Sequence, residues 1–371
     1  MTREIDGVPE PPMERAADEV CAERFAAVQA AFERAQRRAA HGACTARYVI
    51  CDHSVLLRIV GERLARHVQA PLAHLCAPHS VGEAALTIEL WDERETQVSA
   101  PSRTHHAVGR TWTLADGAFA AAPDGRFVSH ALRGSLVWLD RASRHLAGWF
   151  ADGGQLTLHE RGKPMQMLLS LWASDRGLQP VHAALVARGD RGVLIPGSSG
   201  SGKTTCALAC LDAGYTYLGD DWVGVARSGA GAFTGYGLYS SAYLEAAHAE
   251  RFPLLATRAE GPRAASDSKS LIQLSDVWPE RLGHAASISA LALPRIVATA
   301  PTPPRRASKR EAFLMLLPST IFTMRPRSGS EAVERLSEIV ERVPAYWLDM
   351  GPDPARIPEA IDQILADVET S

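Results

Sequence analysis

Residues 197–205 read Gly-Ser-Ser-Gly-Ser-Gly-Lys-Thr-Thr, and they match the pattern G-x-x-x-x-G-K-[ST] without departure. The stretch before them, residues 192–196, contains the aliphatic run Val-Leu-Ile and predicts a buried parallel strand. Residues 203–211 contain no glycine or proline and predict a helix of about three turns, with Gly214 just past its end. Residues 215–218 predict a second strand. Strand, glycine loop, helix and strand form the context that this pattern requires.

The residue types of the loop predict phosphate binding. Its three glycines let the backbone turn and approach an anion, so that successive N–H groups can surround a phosphate at the positive end of the following helix. Lys203 can reach the β- and γ-phosphates, and the Thr204 hydroxyl can ligate Mg²⁺. The alternative is a surface loop that matches by chance, but the flanking strand and helix favour phosphate binding. The residues expected to hold the phosphates are Gly197, Ser198, Ser199, Gly200, Ser201, Gly202, Lys203, Thr204 and Thr205.

Two adjacent carboxylates, Asp220 and Asp221, follow the second predicted strand. Loops at the ends of such strands are where an open α/β sheet presents its side chains to a ligand. One carboxylate can hold the metal through water, and the other can accept a proton from an attacking hydroxyl. The alternative is a metal-binding aspartate with a neighbour that caps a turn, as in an ordinary ATPase. The spacing alone leaves both interpretations open.

The loop, its helix, the next strand and the Asp pair resemble the C-terminal catalytic domain of HPr kinase/phosphorylase, a domain related in fold to phosphoenolpyruvate carboxykinase. Residues 181–186, Val-His-Ala-Ala-Leu-Val, are similar to the His-bearing strand of that family. Residues 237–244 and 269–274 resemble segments of HPr-kinase-related proteins. Some of those proteins are encoded beside ribosomally made peptides, notably lasso peptides, and phosphorylate them. The resemblance covers roughly residues 165–350 and is most specific at the loop and the Asp pair.

This resemblance implies an α/β P-loop kinase domain that uses ATP and Mg²⁺, preceded here by a β-rich α+β domain. It makes His182 an active-site histidine near the phosphates. It assigns Lys203 to phosphate and Thr204 to Mg²⁺. It makes Asp221 the proton acceptor from a substrate serine, with Asp220 beside it near the metal.

The chain departs from HPr kinase in one segment. It has no counterpart of Glu-Ile-Arg-Gly-Leu-Gly, which supplies a metal-binding glutamate and substrate contacts in that family. Residues 235–237 lie near that place and carry no acid. We therefore expect a related kinase with another acceptor, a serine of a peptide or small protein such as a lasso precursor. A kinase for a small-molecule hydroxyl, and an ATP-binding switch or maturation partner without kinase activity, are the alternatives.

Composition limits the class of protein. The 371 residues suggest two domains, and 46% apolar with 22% charged residues is ordinary for a globular protein. A net charge of −3 provides no overall positive field that would attract nucleic acid or a membrane surface. The six cysteines form no C-x-x-C pair, which favours a reducing, cytoplasmic setting.

The family implies that a homo-oligomer can form. The expected organisation is a disordered segment 1–15, a β-rich domain 16–162 for recognition or assembly, and a catalytic domain 163–371.

Periodicity gives the remaining elements. Helices are expected at residues 16–40, 62–68, 163–174, 242–251, 311–317, 330–342 and 358–369. Strands are expected at residues 48–51, 55–60, 84–91, 126–132, 135–139, 178–187, 233–239, 271–274, 290–293, 296–297 and 344–348. Several basic residues are candidates for contacts with phosphate or acceptor, namely Arg258, Arg263, Lys269, Arg295 and Arg325. The adjacent pair His105-His106 lacks a spaced third ligand and does not predict a metal site.

Overall fold

The computed structural model describes residues 13–79, 82–101, 110–114, 117–261, 269–324 and 329–370, and it divides the chain into two compact units. The first unit comprises Met1–Ala46, Val55–Ala65 and Ala84–Gln155. The second comprises Arg47–Ser54, Arg66–Glu83 and Leu156–Ser371. The roles expected for two domains and their boundary at residues 162/163 stay predictions. Residues 1–12 of the expected disordered segment, and the pair His105-His106, lie outside the described residues.

The N-terminal part of the chain forms an eight-stranded sheet and a long helix. Its strand order is β1-β2-β3-β8-β7-β6-β5-β4, with β2, β3 and β8 parallel and β4 to β8 an antiparallel meander. The elements are α1 (Met13–Arg38), β1 (Cys44–Ile50), β2 (His53–Val60), α2 (Glu62–Gln69), β3 (Leu86–Asp92), α3 (Glu93–Thr96), β4 (Arg110–Leu114), β5 (Gly117–Ala121), β6 (Phe127–Leu132), β7 (Ser135–Asp140) and β8 (His145–Phe150).

The apolar stripe of α1 covers one face of this sheet. Phe25, Val28 and Phe32 lie at helical spacing and are buried in a cluster with Trp91 of β3 and Trp149 of β8. Burying each such side chain contributes roughly 1.5–3 kcal/mol. Helix α1 lies where a helix was expected over residues 16–40, and the strands of the sheet follow it in the chain.

The second unit is a mixed α/β assembly. Its main sheet has the order β12-β10-β11-β17-β14-β13-β9, and β19 joins it through β17 and β18. The elements are α4 (Leu158–Gly162), α5 (Gln166–Ser174), β9 (Gln179–Val181), β10 (Ala183–Arg188), β11 (Arg191–Pro196), α6 (Lys203–Asp212), β12 (Thr216–Gly219), β13 (Val223–Arg227), β14 (Phe233–Gly237), β15 (Ser241–Glu245), α7 (Pro253–Arg258), β16 (Lys269–Gln273), β17 (Ala285–Ile296), β18 (Arg305–Arg306), α8 (Lys309–Met324), α9 (Gly329–Arg342), β19 (Ala345–Met350) and α10 (Ile357–Thr370).

Strand β11 lies inside this sheet, with parallel β17 on one side and antiparallel β10 on the other. Its residues alternate between two cores. Val193 and Ile195 belong to the cluster that includes α6 and α10, whereas Leu194 belongs to the cluster with α8 and α9. Helices therefore cover both faces, which explains why β11 reads as a continuous apolar run.

Several expectations for this unit are wrong. The single strand expected over residues 178–187 is two strands, β9 and β10, which are separated at His182. Residues 242–251, expected as a helix, form strand β15 and then a 3₁₀ turn over Ala246–Arg251. Their pairing with β16 outweighs the helix propensity of an alanine-rich sequence. The strands expected at 290–293 and 296–297 are one strand, β17, which continues through Pro294. Helix α8 extends well past residue 317 and contains Pro318.

None of the described helices is long and apolar enough to cross a membrane.

Candidate functional site

The loop at residues 197–202 connects the end of β11 to the first residue of α6. Gly202 immediately precedes the helix with φ +95°, and a Cβ there would lie 2.1 Å from Cε of Met350. The left-handed backbone favours glycine at this position, and a Cβ would also displace the flexible end of the Met350 side chain. Ser198, Ser199 and Gly200 are exposed. The loop therefore presents its backbone to solvent at the N-terminus of α6, as a phosphate site requires.

Lys203 reaches back over this loop. Its side chain is only 4% exposed, its Nζ donates a hydrogen bond to the carbonyl of Ser198 at 3.1 Å, and the same atom lies 3.7 Å from Oδ1 of Asp221. A buried ammonium group is stable only with such partners. The lysine expected to bind phosphate is thus held between the loop and the second aspartate.

Asp220 lies beneath the start of α6. Oγ1 of Thr204 donates a hydrogen bond to Oδ2 of Asp220. The other carboxylate oxygen, Oδ1, is buried and has no hydrogen-bond partner among the described residues. Burial raises the pKa of the Asp220 carboxyl, and the adjacent Asp221 raises it further.

These two residues fit a magnesium ion. Mg²⁺ prefers a few oxygen ligands, keeps several waters, and is bound together with substrate phosphates. Thr204 and Asp220 offer a hydroxyl and a carboxylate with one unengaged oxygen. Within the described part of the chain, no group of three or more His, Cys, Asp and Glu side chains could hold a metal. Phosphate oxygens of a bound nucleotide would supply further ligands to the ion.

Asp221 is the centre of the charged cluster. Its backbone adopts φ +63°, a left-handed conformation that is uncommon for residues other than glycine and that Asn and Asp tolerate best. Oδ2 accepts a hydrogen bond from Nζ of Lys163 at 2.5 Å, and Oδ1 lies 3.2 Å from Nε2 of His182. A non-glycine residue in this conformation costs free energy that the surrounding contacts must offset.

The cations around Asp221 keep it ionised. Burial acts to raise the pKa of its carboxyl, but the positive charge of Lys163 and the hydrogen bond from His182 outweigh burial. Lys203 acts in the same direction, and the pKa of Asp221 lies well below its usual range. The two adjacent carboxyls therefore differ, because the pKa of Asp220 is raised and the pKa of Asp221 is lowered.

His182 lies between β9 and β10. Its backbone N–H donates to Oγ1 of Thr320 on α8 at 3.3 Å. Its Nδ1 is buried and has no hydrogen-bond partner among the described residues. The imidazole thus has one nitrogen directed at Asp221 and the other unengaged.

Lys163 is a site residue that the sequence did not reveal. Lys163 follows α4, lies 58 positions before Asp221 in the chain, and belongs to no motif. The sequence placed it at the start of a helix over residues 163–174, whereas the structure has α4 ending before it and α5 beginning after it. Its side chain is 3% exposed.

One cavity of about 250 Å³ brings most of the expected site residues together. Apolar side chains, among them Phe252 and Met350, line one part of it, and Arg251 and Lys269 line another. Arg295 is not among the lining residues and instead pairs with Asp349 at 2.6 Å. Arg263 and Arg325 lie outside the described residues. The expected site residues that line the cavity are His182, Ser199, Gly200, Gly202, Lys203, Thr204, Thr205 and Asp221.

Comparison with known proteins identifies no protein-family model that matches the chain and no match among curated proteins. Among solved structures, the chain is similar to the Hpr(Ser) kinase/phosphatase from Coxiella burnetii. The two are 13% identical, the match covers 52% of this chain and 96% of that chain, and the TM-score is 0.29.

Proposed function

We propose that this protein is an ATP- and Mg²⁺-dependent kinase that transfers the γ-phosphoryl group to a hydroxyl. One observation carries the proposal. Lys203, at the end of the glycine loop, and Asp221, an ionised carboxylate, lie 3.7 Å apart and line the same cavity. A group that binds the terminal phosphate and a group that can take a proton are therefore adjacent, as phosphoryl transfer to a hydroxyl requires.

The loop and α6 would hold the triphosphate. Backbone N–H groups of residues 197–202 and the N-terminus of α6 favour phosphate oxygens because both present partial positive charge. Lys203 would exchange its contact with Asp221 for the β- and γ-phosphates. Thr204 and Asp220 would hold the metal through the hydroxyl and the unengaged carboxylate oxygen. Magnesium supplies charge neutralisation of the β- and γ-phosphate oxygens when it is bound.

Asp221 would orient the acceptor and take its proton. In the reaction the acceptor oxygen forms a bond to the γ-phosphorus, and the bond between that phosphorus and the bridging oxygen of ADP breaks. The hydroxyl proton passes to the Asp221 carboxylate, and ADP leaves. Because catalysis of phosphoryl transfer is mostly positioning, the carboxylate would mainly orient the hydroxyl, and its low pKa keeps it in the form that accepts the proton. Lys203 and His182 both lie near Oδ1 of that carboxylate. They would offset negative charge that develops on the reacting groups in the transition state.

A serine of a peptide or small protein is the acceptor that we propose. This part rests on the sequence resemblance, since the cavity residues fit any hydroxyl near Asp221. We expect intact-mass spectrometry to show a gain of one phosphoryl group on such an acceptor after incubation with the protein, Mg²⁺ and ATP. Suitable acceptors are short peptides encoded by neighbouring genes. Phosphorylated small molecules with unmodified peptides would favour a small-molecule kinase, and nucleotide consumption with no phosphorylated product would favour an ATP switch.

Replacing Thr204 by valine tests the metal site. Valine keeps the shape of threonine but removes the hydroxyl that contacts Asp220. We expect the Mg²⁺ concentration for half-maximal activity to rise by about 10- to 100-fold, the usual effect of losing a group that supports a metal site. Thr204→Ser keeps the hydroxyl and is the matched control. Equal magnesium requirements for Thr204→Val and the wild type would rule out this ligand.

A further inference from the structure

Asp221 is held on two sides by different kinds of group. Its Oδ1 faces His182 and Lys203, and both of those residues line the cavity. Its Oδ2 faces Lys163, which is not among the described residues that line the cavity. Lys163 therefore contacts the carboxylate at the oxygen opposite the one that faces these two cavity-lining residues.

The backbone on both sides of Lys163 is fixed by hydroxyl groups from one short segment. Oγ of Ser241 donates to the carbonyl of Gly162 at 2.5 Å, and the Tyr239 hydroxyl donates to the carbonyl of Pro164 at 2.6 Å. The Tyr243 ring lies over the Lys163 ammonium group, with 4.7 Å between Nζ and the ring centroid. This arrangement leaves the ammonium group little freedom to move away from Asp221.

A buried lysine of this kind is costly to maintain. Removing an ammonium group from water is unfavourable unless a well-placed partner compensates. Here the partner is the carboxylate that also contacts the phosphate-binding lysine. When Lys203 turns to phosphate, Lys163 would remain as the permanent partner of Asp221.

We infer that Lys163 is a positioning residue, which fixes Oδ2 of Asp221 from behind and thereby presents Oδ1 to the acceptor hydroxyl. The inference rests on the proposed function, because it assigns a working oxygen to the proposed proton acceptor. It explains why Asp221, whose backbone is left-handed, has Oδ2 bound by Lys163 while Oδ1 faces the cavity-lining His182.

The test compares three variants with the wild type in steady-state kinetics. Lys163→Met removes the charge at similar length, and we expect kcat to fall by about 10- to 100-fold with an unchanged KM for ATP. Lys163→Gln keeps an N–H that can donate to Oδ2, and we expect it to retain more activity than Lys163→Met. Ser241→Ala loosens the same backbone without touching the carboxylate. We expect Ser241→Ala to lower kcat less than Lys163→Met does, because it weakens the backbone support of Lys163 but keeps the ammonium group.

Crystal structures of Lys163→Met and of the wild type provide a readout independent of activity. We expect the Asp221 carboxylate to rotate towards Lys203 once its rear contact is lost. An unmoved carboxylate, or equal losses of kcat in Lys163→Met and Ser241→Ala, would overturn the inference. If Lys163→Met does not fold, Lys163→Ala replaces it in both measurements, because alanine also removes the donor to Oδ2. A wild-type protein that transfers no phosphate would refute the proposed function, while the carboxylate position would still decide the positioning role.

Discussion

Asp221→Asn is expected to lower kcat for phosphoryl transfer by about 10²- to 10⁴-fold, the usual contribution of a positioned general base. Asparagine has the same size but cannot take a proton from the acceptor. It also tolerates the left-handed backbone at φ +63°, so the loop should keep its conformation. Alanine would be a poorer choice because it adds backbone strain to the loss of the carboxylate. Initial rates at saturating ATP and acceptor measure the effect, and calorimetry checks that ATP still binds.

The chain offers a matched control for this substitution. Asp52 also has φ +63°, and its carboxylate accepts a hydrogen bond from the Tyr236 hydroxyl at 2.5 Å rather than contacting the cavity residues. We expect Asp52→Asn to leave kcat unchanged. Transfer at the wild-type rate by Asp221→Asn would remove Asp221 from the mechanism, and an equal loss in Asp52→Asn would make the effect one of backbone conformation.

Lys203→Met is expected to weaken ATP binding by about 10- to 100-fold, since a hydrogen bond to a charged group contributes roughly 1.5–3 kcal/mol. The transfer rate should fall further, by about 10²- to 10³-fold, because negative charge develops on the bridging oxygen of the leaving ADP in the transition state and Lys203 stabilises it. Methionine retains the length of the side chain and fills the buried position. Calorimetric titration with ATP and with AMP measures the binding effect.

AMP separates the role of Lys203 from general damage to the loop. It lacks the β- and γ-phosphates, so its affinity should change much less than that of ATP. Lys309→Met is the control for loss of a charge, since Lys309 is exposed and pairs with Glu341 on the surface. Equal losses for ATP and AMP would show that Lys203 supports the loop conformation and does not bind the terminal phosphates.

The sequence predicted the glycine-rich loop and its flanking strand and helix, because neighbouring residues in the chain determine their conformation. A glycine-rich loop between an aliphatic run and a helix-forming run specifies its own geometry, and β11 and α6 lie within one residue of the expected bounds. Gly214 follows α6 with φ +88°, as a helix end requires. The adjacency of Asp221 and Lys203 followed from the same short stretch, because only α6 and β12 lie between them in the chain.

The parts that the sequence missed depend on distant contacts. Lys163 looks like any surface lysine until the chain folds α4 against the segment that carries Ser241 and Tyr243. Strand β15 was missed because Ala242 and its neighbours favour a helix in isolation, and only pairing with β16 stabilises the extended form. In both cases the contacting residues lie far apart in the chain. The periodicity of a local segment therefore cannot predict the contact.

The most direct test of the central claim is a crystal structure of the protein with Mg²⁺ and a non-hydrolysable ATP analogue. We expect the β- and γ-phosphates on the loop at residues 197–202, with the metal at Thr204 and Asp220. Lys203 should have left Asp221 for the phosphates, and the γ-phosphate should face Oδ1 of Asp221. A nucleotide bound elsewhere, or one whose terminal phosphate points away from Asp221, would contradict the claim that this cavity transfers a phosphoryl group.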